Sequence, residues 1–320
     1  MADWPAALQA ALDALASEAD ERALARDARA ISEAYRERTG TGKRLLTQPG
    51  EAAAYALSRM PATYAAVRAA LFQALQSGGR EMRTLLDCGA GTGAASWAAD
   101  ALLPLERVTC LEREEAMQSV GRRLMRAGGE ALRGARWEAW DAMDGGELPR
   151  AELVIEGYML GELPPQARQA VALRLWEAAR EMLLLVEPGT PQGFANLAAV
   201  RRVLTARGAH VAAPCPRGAK ACPMRGEDWC HFAVRVQRTR LHRQLKGGEA
   251  PFEDEKFAYL ALTREPAAEP CAARVLRHPQ IAPGRIALTL CEGGEKRERA
   301  VTKKDPLWKR ARKIRAGEGL

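Results

Sequence analysis

Residues 5 to 38 are alanine-rich, with leucines returning at helical spacing among Glu and Arg, until Thr39-Gly40-Thr41-Gly42 interrupts the pattern. The 3.6-residue period predicts helix up to that break and again from about 51 to 75. Pro61 stands where a helix would begin. A proline loses nothing in a first turn, whose N–H groups have no intrahelical partner, so the second stretch reads as two helices meeting near Met60. These elements make residues 1–78 a helical N-terminal region.

From Thr84 the rhythm shortens. TLLD, RVTCLE, ARWEAW, ELVIEGY and MLLLVEP are apolar runs of strand length, separated by helical segments after Gly93, from about Glu114 and over about 165 to 180. Parallel strands need a crossover between them, so this alternation predicts an α/β fold, a doubly wound parallel sheet with helices on both faces. A helix near 192–207 and a strand at 210–213 extend it, giving a second region over residues 79–213. Past a cysteine-bearing run, KFAYLALTR, ARVLRHP, GRIALTLCEGG and KRERAVTK read as four strands, followed by a basic helix at about 306 to 315. Residues 214–320 therefore form a β-rich extension ending in a basic tail.

Charge sharpens the picture of that third region. Residues 201–246 hold eleven Lys and Arg against two acids, and residues 296–315 hold ten against two, a net +17 in a chain whose total is +8. The rest is thus about nine charges negative, and the basicity is local. A surface of this kind fits a phosphate-rich partner, with Arg201, Arg202, Arg235, Arg238, Arg240, Lys303, Lys304 and Lys309 as the contacts; the alternative is a solvated charged face. No apolar run is long enough to span a bilayer and the N-terminus has no signal-peptide pattern, so a cytoplasmic protein without membrane contact is expected. Seven cysteines cannot all pair, and a reducing compartment favours metal ligation or buried thiols over disulfides.

Asp87-Cys88-Gly89-Ala90-Gly91-Thr92-Gly93 joins a buried strand to a helix through a glycine-rich turn. Glycine lets a ligand approach the backbone, and in an open parallel sheet this turn lies where cofactors bind. The D-x-G-x-G-x-G form resembles the first motif of class I S-adenosylmethionine methyltransferases, over about residues 84 to 190. The resemblance implies that Asp87, Gly89, Ala90, Gly91 and Gly93 form the cofactor turn. It further implies that Glu112, ending the next strand, holds the ribose hydroxyls and that Asp141 meets the adenine amine. A nicotinamide or flavin cofactor is the competitor, since Gly89, Gly91 and Ala94 also satisfy the looser dinucleotide fingerprint. Cys88 and Cys110 sit in or beside strands and read as small buried apolar residues. After the fourth strand, Glu156, Tyr158 and Glu162 are candidates to orient a methyl acceptor, or else cap and pack the turn. No Asn-Pro-Pro-Tyr motif stands there.

Cys215, Cys222 and Cys230 follow one another at C-x6-C-x7-C spacing within residues 214–231. Three thiols so close read as part of a metal site, for which a fourth ligand, Cys291 or Cys271, is needed. Zinc knuckles favour shorter C-x2-C to C-x4-C pairs, so these longer loops suit an iron–sulfur cluster better than zinc.

The segments LLDCGAGTGAASWAA, VIEGYMLGELP, LLLVEPGTPQGF, PCPRGAKACPM, WCHFAVRVQR, DEKFAYLALTRE and LTLCEGGEKRERAVTKKD together resemble the methyltransferase-like proteins associated with the mitochondrial small ribosomal subunit and their bacterial homologues. The resemblance spans about Ala53 to Arg315. It implies a class I methyltransferase fold and a [4Fe–4S] cluster on Cys215, Cys222, Cys230 and Cys291. It also implies a role in assembling or maturing the small ribosomal subunit through its RNA, as a methyltransferase or as an assembly factor that has kept the fold.

Overall fold

The computed structural model describes residues 4–38, 46–78, 81–217, 219, 221–238, 243, 245 and 250–320; the break expected at 39–42, and Arg240, lie outside them. Helices α1 (Ala6–Ser17) and α2 (Glu21–Arg38) divide what the periodicity reads as one stretch. Asp20 is the reason, because its Oδ1 accepts the N–H of Arg22 at 3.1 Å and so caps the new first turn. Helices α3 (Pro49–Ser58) and α4 (Met60–Leu75) meet at Arg59, as Pro61 suggests. Gln48 and Glu51 close a capping box at the start of α3.

The main sheet is built from β1 (Thr84–Cys88), β2 (Arg107–Glu112), β3 (Arg136–Ala139), β4 (Ala151–Gly157), β5 (Ala179–Pro188), β6 (His210–Ala213), β7 (Phe232–Gln237) and β8 (Phe252–Thr263). Its order is β3-β2-β1-β4-β5-β8-β6, with β1 to β5 parallel and β8 antiparallel between β5 and β6. Helices α5 (Ala94–Asp100), α6 (Glu115–Met125), α7 (Glu130–Arg133), α8 (Pro165–Ala178) and α9 (Pro191–Thr205) make or border the crossovers. This is the class I methyltransferase arrangement, a doubly wound sheet closed by one reversed strand.

Alternate residues of the central strands enter two cores. Leu85, Leu153, Ile155, Leu184 and Val186 pack with the N-terminal helices on one face, and Leu86, Val154, Leu183 and Leu185 pack with α8 and α9 on the other. Cys88 and Cys110 are fully buried in these cores, where burial pushes both thiols up; they serve as apolar packing.

The edge of the sheet beside β8 is interrupted. Strand β6 leaves β8 at Ala213, opposite Ala261, and β7 rejoins it at Phe232, opposite Phe257. Between them the described residues of 214–231 lie outside the sheet, and this excursion carries three of the cysteines. The hydrophobic pattern did not single out β7, and β8 comes from beyond residue 213, so the main sheet draws on both sides of that expected boundary.

A second, four-stranded sheet holds β9 (Ala273–Val275), β10 (Gln280–Ala282), β11 (Arg285–Glu292) and β12 (Glu295–Thr302), with β9 and β10 both pairing β11. Ile286, Leu288, Leu290 and Val301 form its core with Ala311 of α10 (Trp308–Ala311) and Ile314. The expected basic helix is this short one. Beyond it Gly317, at φ 93°, lets the chain lie against β9, where its N–H donates to Val275 O.

Candidate functional site

The turn after β1 takes the left-handed backbone that only glycine adopts without strain, at φ 69°, 57° and 87° for Gly89, Gly91 and Gly93. The N–H groups of Gly89 and Ala90 donate to Leu111 O, tying the turn to β2. Glu112, at the end of β2, accepts from Gly91 N–H at 2.8 Å and from Glu114 N–H at 2.9 Å. Burial pushes its carboxyl up, and these two donors act against that.

One cleft at the carboxyl ends of β1, β2 and β4 is lined by Gly89, Gly91, Glu112 and Asp141, as well as by Tyr158 and Glu162. Ala90 and Gly93 shape the turn without lining it. Asp87 does not line the cleft either. Its Oδ2 lies beneath the turn and accepts from the N–H and Oγ–H of Ser96 at 3.0 and 2.7 Å, which caps α5. Burial lifts the Asp87 carboxyl to about 6, against the lowering effect of Ser96.

On the acceptor side, Glu156 is fully buried, and its Oε1 accepts from Met159 and Leu160 N–H at 2.5 and 3.0 Å. It caps the 3-10 turn Leu160–Glu162. Burial first, then the facing carboxyl of Glu187, push Glu156 well above the usual carboxylate range. Tyr158 is a non-glycine residue at φ 67°, a strained backbone at the cleft, and its hydroxyl donates to Glu255 Oε1 at 2.9 Å. Sequence reasoning missed Tyr55, Arg113 and Trp140, which also line the cleft. The arrival of Tyr55 from α3 carries no local signal. That of Arg113 has one, as it directly follows Glu112 and reaches Asp141 at 3.8 Å.

Four of the cysteines lie away from this cleft. Cys215, Cys222, Cys230 and Cys291 line one cavity of about 340 Å³, floored by Ala258, Tyr259 and Leu260 of β8 where the edge strand is interrupted. Cys271 does not line it; its carbonyl accepts from Arg217 N–H and its side chain packs against Gly319. Cys291 reaches the cavity from β11, while Asp228 of the excursion binds Arg277 at 2.5 Å and Lys296 at 2.6 Å, stapling the excursion to the small sheet. Burial pushes the thiols of Cys215 and Cys230 up, and that of Cys291 to about 12. Among the described residues lining the cavity there is no carboxylate or imidazole, but there are four arginines, Arg201, Arg202, Arg225 and Arg274. The buried hydroxyl of Tyr259 has no hydrogen-bond partner among the described residues. As placed, no three Cys, His, Asp or Glu groups among the described residues converge closely enough to hold a single metal ion.

The basic surface is smaller than the charge count suggests. Arg235 is held by both carboxylate oxygens of Asp254 at 2.8 and 3.0 Å, and Arg238 by Glu253 at 2.7 Å, through the pairing of β7 with β8. Arg201 is partly buried and donates to Ala219 O. Arg202, Lys303, Lys304 and Lys309 are exposed. Among the described residues no helix is long and apolar enough to cross a membrane.

The ribosome assembly protein METTL17, mitochondrial, of Homo sapiens is 28% identical over 252 residues, covering 73% of this chain and 54% of that protein. The chain thus spans about half the length of this curated relative. Among solved structures, magnesium protoporphyrin IX methyltransferase of Synechocystis PCC 6803 with bound SAM is 14% identical, with 75% of this chain and 97% of that one covered at a TM-score of 0.41. Precorrin-6y C5,15-methyltransferase of Geobacter metallireducens GS-15 is 17% identical, with 61% and 86% covered at a TM-score of 0.39. Neither likeness bears on function. A family model described as mitochondrial small ribosomal subunit Rsm22 matches residues 49–320, taking in both the glycine-turn cleft and the thiol cavity, and the chain belongs to that family.

Proposed function

We propose that this protein is a small ribosomal subunit assembly factor that binds S-adenosylmethionine in the glycine-turn cleft and a [4Fe–4S] cluster on Cys215, Cys222, Cys230 and Cys291. The observation that carries the assembly role is the family match over both sites, together with the ribosome assembly role in the human relative's name. In this reading Gly89 and Gly91 leave room for the cofactor, Glu112 takes its ribose hydroxyls and Asp141 its adenine amine. When bound, the cofactor supplies an electrophilic methyl group on a sulfonium. Tyr55 and Leu46 close the cleft from the N-terminal side.

The thiol cavity fits a metal centre by three observations. Its donors are all soft sulfur, its lining is cationic where four thiolates would be anionic, and the buried hydroxyl of Tyr259, a residue of that lining, lacks a hydrogen-bond partner among the described residues. A single tetrahedral zinc draws its four sulfurs to about 3.8 Å from one another, from Zn–S bonds of about 2.3 Å. Each cysteine of a cubane binds a different iron, so its sulfurs stand further apart. The long loops of the C-x6-C-x7-C run suit that wider spacing of ligands. The centre would join the excursion to the small sheet and tail, so that residues 214–320 act as one unit presenting Arg202, Lys303, Lys304 and Lys309 to small-subunit RNA. A cytoplasmic setting is part of the proposal; the human relative's name places that protein in mitochondria.

A second reading, a non-catalytic factor that has kept the fold, is favoured by the acceptor side. Glu156 is committed to capping and the Tyr158 hydroxyl to Glu255, which leaves Glu162 as the carboxyl of the three candidates that faces the cleft. Incubating the protein with methyl-labelled S-adenosylmethionine and precursor small-subunit RNA separates the two. Label in RNA establishes an enzyme; cofactor and RNA binding without label establishes the second reading; binding of neither contradicts both.

A further inference from the structure

Arg274 is only 2% exposed, yet among the described residues it has no carboxylate partner. Its guanidinium donates to three neutral acceptors: Nε to Pro214 O at 2.8 Å, Nη1 to Gln73 Oε1 at 2.6 Å, and Nη1 to Gly317 O at 3.0 Å. Neutral acceptors take up the N–H groups of Nε and Nη1 but supply no opposite charge, which is costly away from water. Two placements say where the missing charge belongs. Arg274 stands directly opposite Cys291 in the antiparallel register of β9 and β11, so the two side chains rise from the same face of the sheet. It also lines the thiol cavity, and its Nε holds the carbonyl of the residue before Cys215.

We propose that Arg274 is the buried counter-ion of a dianionic four-thiolate metal centre, and the joint through which that centre is fixed to α4 and to the segment after α10. The inference rests on the reading that the four cysteines hold metal. Four thiolates around a dipositive cubane core, or around Zn²⁺, leave a net charge of about −2, because metal binding strips the thiol protons. Arg274 lies behind two of the four ligands, and its other bonds reach Gln73 of α4 and Gly317. Loading the site would therefore tighten contacts to the N-terminal helices and the tail, beyond the excursion and the small sheet.

The test compares full-length wild type, Arg274→Gln and Arg274→Lys, each purified anaerobically, in metal-free and metal-loaded form. Metal release to a chelator and melting temperature are followed. Release from Arg274→Gln should be on the order of tenfold faster, as outer-shell changes weaken metal sites by roughly 10- to 100-fold, and Arg274→Lys should lie nearer wild type. Arg274→Gln should also lower the melting temperature of the loaded protein more than that of the metal-free protein. Wild-type release rates in Arg274→Gln would overturn the inference while leaving the metal reading intact. So would losses of stability equal in both forms and in both variants, or failure of both to fold, since these mark a packing role alone. A wild type that takes up neither iron nor zinc overturns the metal reading and this inference with it.

Discussion

Asp87→Asn tests how the cofactor turn is held. Asp87 is 1% exposed, and burial raises its carboxyl from 3.8 to about 6 despite two hydrogen bonds from Ser96. An acid raised by folding binds more protons in the folded than in the unfolded chain between those two values. Its contribution to stability is therefore greatest below 3.8, falls as pH rises towards 6 and is constant above. The whole fall is on the order of 3 kcal/mol, and about half of it lies between pH 5 and pH 8. Asparagine keeps an oxygen for Ser96 and carries no charge, so the variant should gain on wild type by this amount across that interval. At roughly 2 °C per kcal/mol for a chain of this size, its melting temperature relative to wild type should rise by about 3 °C from pH 5 to pH 8. Thermal unfolding followed by circular dichroism at fixed ionic strength, on metal-free samples of both proteins, reads the difference. A difference that stays flat with pH, or that falls, would refute the argument that Asp87 is a buried and charged cap.

Gly89→Ala places a side chain at φ 69° with its Cβ 3.0 Å from Met159 Cβ; a loss of about 1–2 kcal/mol in stability and more than tenfold in S-adenosylmethionine affinity is expected by calorimetry, and wild-type affinity would remove the turn from the binding site. Cys291→Ser should lose the metal centre on anaerobic purification whereas Cys271→Ser keeps it, since Cys291 lines the cavity and Cys271 does not; the opposite iron contents would exchange the two assignments. Replacing Arg202, Lys303, Lys304 and Lys309 together by Gln should reduce the slope of log affinity for small-subunit RNA against log salt by about 3, measured by filter binding; an unchanged slope would place the RNA elsewhere.

The central strands were legible because burial on both faces leaves continuous apolar runs, as in Leu85-Leu86 and Val154-Ile155. The glycine turn and Glu112 were legible as a local pattern, and Gly91 N–H on Glu112 joins the two. What escaped was non-local. Strand β7 is amphipathic and short, and it exists because β8 pairs with it; the same pairing brings Asp254 to Arg235 and Glu253 to Arg238, withdrawing two arginines from the expected phosphate surface. The role of Asp87 escaped for another reason. Its motif marks the neighbourhood of a cofactor, while only three-dimensional packing turns the carboxylate beneath the turn towards Ser96. The choice between Cys291 and Cys271 could not come from spacing, because it depends on whether β11, which carries Cys291, or the loop before β9, which carries Cys271, lies against the excursion.

The most direct measurement is the iron, sulfide and zinc content, with the visible spectrum, of the full chain purified without oxygen. About four iron and four sulfide per chain in a brown protein are predicted, falling away in Cys291→Ser. Stoichiometric zinc in a colourless protein would contradict the cluster, and metal-free protein that stays folded and binds small-subunit RNA would contradict the four-thiolate centre altogether.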